Sequence, residues 1–474
     1  MDGITRQLVD YATGFDFDAV PTAVRDAAVN HVVDSIAVAV AGFRSAPAQV
    51  AVRVARTSTA DRPATVIGAG VRTTPELAAF ANAVMVRAWD WNDGMFAQGG
   101  GHPSDMLSGL LAVAEPRGLS GRDLLAAVAL SYEALGSLGN SAPVRKLGWD
   151  QGTFMGAATA LGVGTLMGLD EAKLANAVSL AVVPNVPLNV TRVGALSMWK
   201  GAATAAAVRN AVFAAQLAEE GMTGPAEPFE GGSGLQQLVT GPFELNLPAY
   251  PGGQTVVEIS HLKQFPAEAH SQALLREIPR IRQWAPVQRV ESIEVEIYWI
   301  AYDEIGSHPA KWDPHTRETA DHSLPYLLAA AWVDGDITLD SFTQERIEDP
   351  ALRPVMNRIA IRENPEYTAG YRPAGMEIAG SPKARIVVRR DDGAVLDEVV
   401  TFPRGHSRNP MTQADITAKF RSASAGVLPG DRTEEILAAW WGIEDTPDVS
   451  VLMRTVADFA SASVPVTEPV TAGT

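Results

Sequence analysis

The chain has 474 residues, 46% hydrophobic and 20% charged, enough for two or three packed domains. Its formal net charge of −17 argues against a nucleic-acid partner, which needs a basic face, but leaves room for a local positive cleft around an anionic small molecule. The absence of cysteine excludes disulfides, thiolate-held iron–sulfur clusters and cysteine zinc sites.

The N-terminal MDGITRQLVDYATGF lacks the basic start and apolar core of a secretion signal, and no uninterrupted apolar run approaches membrane-spanning length. A cytoplasmic protein with no membrane partner is expected. The first half reads as helix. AVRDAAVNHVVDSIAVAVAG and ELAAFANAVMVRAWDW carry apolar residues at three–four spacing, and Ala dominates from Leu107 to Leu217. Gly118, Gly168 and Gly221 mark helix ends.

Past about residue 255 the pattern changes. VQRVESIEVEIYWI alternates as a strand does, and ARIVVRRDDGAVLDEVVTF reads as two strands joined at Asp392-Gly393. TADHSLPYLLAAAWVDG reads as a helix with Pro325 near its start, and MTQADITAKFRSA returns to helical spacing behind a Thr412/Asp415 cap. The expected fold is mainly α with a smaller α+β domain: a helical bundle over 1–258 completed by 408–460, an α+β domain over 259–407, and a disordered tail over 461–474. No internal repeat is present.

Four stretches concentrate chemistry. DWNDGMFAQGGGHPSD (residues 90–105) could hold an oxygen-ligated metal through Asp90, Asp93, His102 and Asp105, yet it matches no calcium loop, and no Lys-Ser/Thr follows its glycines as in a phosphate loop. It could equally be a polar turn, with His102 as its sharpest feature because imidazole titrates near neutral pH. Lys200 stands alone among apolar residues in ALSMWKGAATAAAV. HLKQFPAEAHSQALL offers His261, Lys263, Glu268 and His270 without an HExxH zinc pattern. KWDPHTRETADHSLPYLL gathers Lys311, His315, Arg317, Glu318, Asp321, His322 and Tyr326 at the entrance of an apolar helix. Asp321, His322 and Ser323 are sequence neighbours and cannot form a hydrolytic triad.

These stretches, together with GWDQGTFMGAA, EGMTGPAEPFEG and FPRGHSRNPMTQADITAKF, follow one another in an order that resembles the MmgE/PrpD family from about residue 5 to about 460. That family includes 2-methylcitrate dehydratases, cis-aconitate decarboxylases and iminodisuccinate epimerases. The resemblance implies a helical domain with an α+β lid, a homodimer, and a di- or tricarboxylate substrate handled by acid–base chemistry, with no cofactor and no metal. It implies catalytic roles for Asp90, His102, Lys200, Lys263 and Tyr326 and a site position for His270; His270, Arg317, His322 and Asp150 are expected to contact the substrate. Gly94 stands where the decarboxylase branch has threonine, and Asp150 where that branch has histidine. RETADHS resembles the dehydratase branch.

The implied reaction removes a proton next to a carboxylate. Lys200, Lys263 and Arg317 are expected to stabilise the resulting charge, with His102, oriented by Asp90, moving one proton and Tyr326 or a lysine the other. Dehydration of 2-methylcitrate or a related hydroxy-polycarboxylate is the leading expectation. Decarboxylation or epimerisation of an aconitate- or iminodisuccinate-like acid is the alternative within the family, and non-catalytic polycarboxylate binding the alternative outside it.

Overall fold

The computed structural model describes residues 1–248, 253–371 and 382–459. The tail expected to be disordered, 461–474, lies outside them. The fold is mainly α with a smaller α+β part, as the periodicity predicts.

A helical bundle surrounds the first of two large apolar cores. Its centre is helix Thr22–Gly42, which buries fifteen of its 21 residues. A helix apolar on all sides belongs inside a bundle. Gly42 is obligatory there, because a Cβ would meet the Met85 carbonyl oxygen of helix Pro75–Arg87 at 1.9 Å. The Ala-rich half forms helices Leu107–Arg117, Gly121–Ser141, Met155–Leu166, Glu171–Val182 and Ala203–Glu219. Gly118, Gly168 and Gly221 follow helices in the left-handed region, with φ of 61°, 66° and 94°.

The first half is not wholly helical. Ala64–Val66 and Val71–Thr73 pair as a small antiparallel hairpin. Strands of three residues are too short for alternation to show in the sequence.

The second core packs helices Gln272–Trp284 and Leu324–Asp334 with a four-stranded sheet. Strand Val290–Ile297 runs parallel to Ile359–Glu363 on one side and antiparallel to Ala384–Arg390 on the other, and Val395–Val400 closes the edge. The last two strands form the predicted hairpin, with Gly393 at φ 83°. Pro325 sits in the first turn of helix Leu324–Asp334, where its missing N–H costs nothing.

Helix Gln413–Ser424 begins at a Thr412/Asp415 capping box and returns to the first core, where it buries Ile416, Phe420 and Ala423. Its Lys419 Nζ lies 2.7 Å from Asp34 in helix Thr22–Gly42. The two cores meet where the chain passes from Leu262 in the first to Phe265 in the second. There Gly94 and His261 exchange backbone hydrogen bonds of 2.9 and 2.8 Å, which ties the glycine-rich loop to the crossing segment.

Candidate active site

A cavity of about 230 Å³ opens at this junction, and the loop DWNDGMFAQGGGHPSD forms one wall. Helix Pro75–Arg87 delivers the chain to Asp90, whose φ of 51° is strained for a residue with a Cβ. The carboxylate bonds the buried Arg87 guanidinium and lies 2.9 Å from Lys263 Nζ and 3.9 Å from Lys200 Nζ. Lys263 also donates to the Asp90 carbonyl at 2.7 Å. Burial pushes the Asp90 carboxyl up, but Arg87, Lys263 and Lys200 outweigh it and hold the group well below the usual carboxylate range. Asp90 is therefore a fixed anion within a cationic cluster.

His102 lines the same wall, but its orienting partner differs from the expected one. Its Nδ1 lies 2.6 Å from the backbone carbonyl of Asp93, not against Asp90. A carbonyl only accepts, which assigns the hydrogen to Nδ1 and leaves Nε2 as the basic nitrogen. Asp93 is itself pinned by Tyr132 at 2.8 Å, His31 at 3.0 Å and the Ser104 N–H at 3.0 Å. Burial, then Arg87 and Lys263, keep the His102 ring well below its ordinary pKa and hence neutral.

The Asp–His pair of this site is instead Asp321–His322. His322 Nδ1 donates to Asp321 Oδ1 at 2.7 Å, and His322 lines the cavity. The pair sits just before Ser323, the N-cap of helix Leu324–Asp334. Lys200 binds both Asp321 oxygens at 2.8 Å and Arg317 reaches one at 3.2 Å. The carboxyl falls to about 2, because Lys200 and His322 overcome its burial. Burial and Lys200 push His322 down to about 3 against the pull of Asp321. Lys200, buried between Asp321 and Asp90, drops to about 8. It links the two acids and does not line the cavity, and neither does Arg317, whose guanidinium is held by Glu318 and Asp321 and lies 4.9 Å from the Trp89 ring centre.

The lining also includes Glu268, His270, Glu304, Arg145 and Lys311. His270 bonds the Tyr298 hydroxyl through Nδ1 and turns Nε2 towards Glu268 at 3.8 Å and Glu304 at 4.0 Å. These three residues bring ligand atoms within 4.8 Å of one another, a spacing that could hold a metal ion. Arg145 already bonds Glu304, however, and its charge competes with a cation there. His261 stacks on Phe96 with ring centres 4.2 Å apart, and neither of its nitrogens has a hydrogen-bond partner among the described residues.

Two further expectations need correction. Tyr326 does not line the cavity; its hydroxyl donates to the Ser341 carbonyl inside the second core. Asp150 does not line it either, but accepts from Arg192 Nε at 2.7 Å and so fixes a cation that does. Composition overlooked Arg87, Arg145 and Arg192. The only signal for Arg87 was a lone arginine closing the apolar run AFANAVMVR. Basic lining residues, Arg87, Arg145, Lys146, Arg192, Lys263 and Lys311, outnumber the acidic Asp90, Glu268, Asp303 and Glu304. A chain of strong negative charge thus presents a cationic cavity.

Two neutral imidazoles, each with a fixed tautomer, beside paired cations define a site for acid–base chemistry on an anion. Residues 6–248 match the MmgE/PrpD N-terminal domain and residues 265–443 the MmgE/PrpD C-terminal domain, so the chain belongs to the MmgE/PrpD family. It is 29% identical over 413 residues to a 2-methylcitrate dehydratase of Cupriavidus necator, covering 80% of this chain and 82% of that protein. It is 26% identical over 394 residues to the mitochondrial 2-methylcitrate dehydratase of Yarrowia lipolytica, covering 78% of this chain and 74% of that one. With the cis-aconitate decarboxylase of Homo sapiens it shares 27% over 403 residues, 81% of this chain and 79% of the relative.

Proposed function

We propose that the protein is a polycarboxylate lyase that works by acid–base chemistry, acting as a hydro-lyase on 2-methylcitrate or a related hydroxy-polycarboxylate. The observation that carries this reading is the presence of His102 and His322 in one cation-lined cavity, each with its Nδ1–H engaged and Nε2 free to take a proton. An uncharged imidazole is the form a general base requires.

One imidazole removes the proton from the carbon next to a carboxylate. The electron pair of that C–H bond becomes the new C=C bond as the neighbouring C–O bond breaks. The hydroxyl takes a proton and leaves as water. Negative charge that builds on the activated carboxylate during this step faces Lys263 and Arg87, whose positions are already fixed by Asp90, so little reorganisation is needed. The second imidazole, protonated as the substrate brings its own negative charge into the cavity, supplies the proton for the hydroxyl. With no cysteine in the chain, dehydration cannot run on a thiolate-held iron–sulfur cluster.

The dehydration reading over decarboxylation is supported by the dehydratase relatives, and it agrees with Gly94 and Asp150, since the family resemblance implies threonine and histidine at those places in the decarboxylase branch. The test is an NMR product screen with 2-methylcitrate, citrate, cis-aconitate and iminodisuccinate. The expected result is an olefin from a hydroxy-acid: the 2-methylcitrate methyl doublet collapses to the singlet of a methyl on an sp² carbon, or a vinyl proton appears. Itaconate from cis-aconitate, or an inverted iminodisuccinate stereocentre, would select the other chemistries, and no turnover of any would overturn the reading.

A further inference from the structure

Among the described residues four lysines are buried, and three of them face a carboxylate: Lys200 lies 2.8 Å from Asp321, Lys263 2.9 Å from Asp90 and Lys419 2.7 Å from Asp34. Lys311 is the exception. Its side chain is 2% exposed, it lines the cavity, and its Nζ has no hydrogen-bond partner among the described residues.

Lys311 is held firmly. It lies in the short helix Pro309–Trp312, whose cap, His308, accepts from the Ala310 N–H at 3.1 Å. Its carbonyl accepts from Ser323 Oγ, and Ser323 in turn caps helix Leu324–Asp334. The residue is thereby fixed to the same helix entrance that carries Asp321 and His322. Asp321, Glu304 and Glu268 attract its charge, but none reaches hydrogen-bonding distance. Burial lowers its pKa below that of an ordinary lysine.

A desolvated ammonium without a partner is costly, so such groups are normally paired. Loss of the side chain's charge would relieve that cost unless an anion enters the cavity. We propose that the missing partner is a carboxylate of the bound polycarboxylate, and that Lys311 is the residue on the second-core side of the cavity that recognises it. In the same cavity, the cluster built on Lys263 and Arg87 takes the carboxylate activated in the reaction. Cations at Lys311 and at the Lys263–Arg87 cluster, all lining one cavity, select an acid with at least two carboxylates. This inference rests on the polycarboxylate reading of the same cavity.

The test uses the full-length protein and tricarballylate, a tricarboxylate without a hydroxyl to eliminate. Binding is measured by titration calorimetry and stability by thermal melting, for wild type, Lys311→Met, Lys311→Gln and Lys311→Arg. A carboxylate partner predicts that Lys311→Met weakens binding by about 30-fold or more. It also predicts that the free Met variant melts higher than wild type, and that Lys311→Arg retains most of the affinity. Lys311→Gln is the neutral comparison should the Met variant fail to fold, with the same loss of affinity expected. Unchanged affinity in the neutral variants, or a lower melting temperature in the free protein, would overturn the assignment while leaving the polycarboxylate reading intact. Failure of wild type to bind tricarballylate or any other polycarboxylate would overturn both.

Discussion

The Asp321 carboxylate accepts from His322 Nδ1 at 2.7 Å while the same carboxylate holds Lys200 through both oxygens. His322 is thus oriented by an acid whose charge is already neutralised, and it stays unprotonated down to about pH 3 in the field of Lys200 and burial, with Asp321 and Asp90 opposing. The unfolded chain protonates this histidine near pH 6.5. Between those values the unfolded state binds one more proton than the folded state at this position, so the stability it contributes is present above about pH 6.5 and is lost as pH falls. Replacing it by Gln removes that dependence. The stability of His322→Gln relative to wild type should improve by ~1.4 kcal/mol for each pH unit below about 6.5. Urea unfolding of both proteins between pH 6.5 and 4.5 reads this directly, and parallel pH profiles would contradict it.

Lys200 bridges Asp321 and Asp90 from inside the protein. Its removal in Lys200→Met leaves Asp321 with only His322 and the partly buried Arg317. Breaking a buried pair by deleting one partner costs about 3–5 kcal/mol. The variant should melt far below wild type in a thermal scan. A melting temperature close to wild type would mean that Lys200 is not the strut described here.

Tyr326 carries its hydroxyl to the Ser341 carbonyl, away from the cavity. Tyr326→Phe should lose about 1 kcal/mol of stability, the worth of one hydrogen bond, and keep turnover within about twofold. A fall in kcat of a hundredfold at unchanged stability would restore the catalytic role that the family resemblance implies.

Gly94 lies against His261 so closely that a Cβ would sit 2.8 Å from its ring Cε1 and 2.9 Å from Nε2. The ring cannot retreat freely, because Phe96 stacks on it. Gly94→Ala should therefore cost about 1–3 kcal/mol through overpacking. The double variant Gly94→Ala/His261→Ala should be more stable than the sum of the single changes predicts, since the second change removes the obstacle. Additivity in denaturant unfolding would place the strain elsewhere.

Elements whose signals are local were legible in the sequence. Thr412 with Asp415, Asp392-Gly393 and the glycines after the Ala-rich helices each act within a few residues, and each formed as read. The candidate stretches were also legible, because His102, Lys263, His270 and His322 fall in stretches dense in polar and titratable groups, and all four line one cavity. Which group orients which was not legible. Asp90 stands in the same loop as His102, yet Asp93 supplies the contact through its backbone, which no residue type announces. Lys200 and Asp321 are 121 positions apart, and only packing of the two cores brings them together. Arg145 and Arg192 look like surface residues in the sequence, and they became cavity cations through tertiary contacts with Glu304 and Asp150.

His102 and His322 are proposed to move the protons of the elimination together. The most direct measurement is the rate of olefin formation from 2-methylcitrate, followed by NMR, for wild type, His102→Gln and His322→Gln, with thermal melting of each. Each single variant should lose about 10²- to 10⁴-fold in kcat, the usual contribution of a positioned general acid or base, and should remain folded. Retention of wild-type turnover by either folded variant would rule out that role for the replaced histidine.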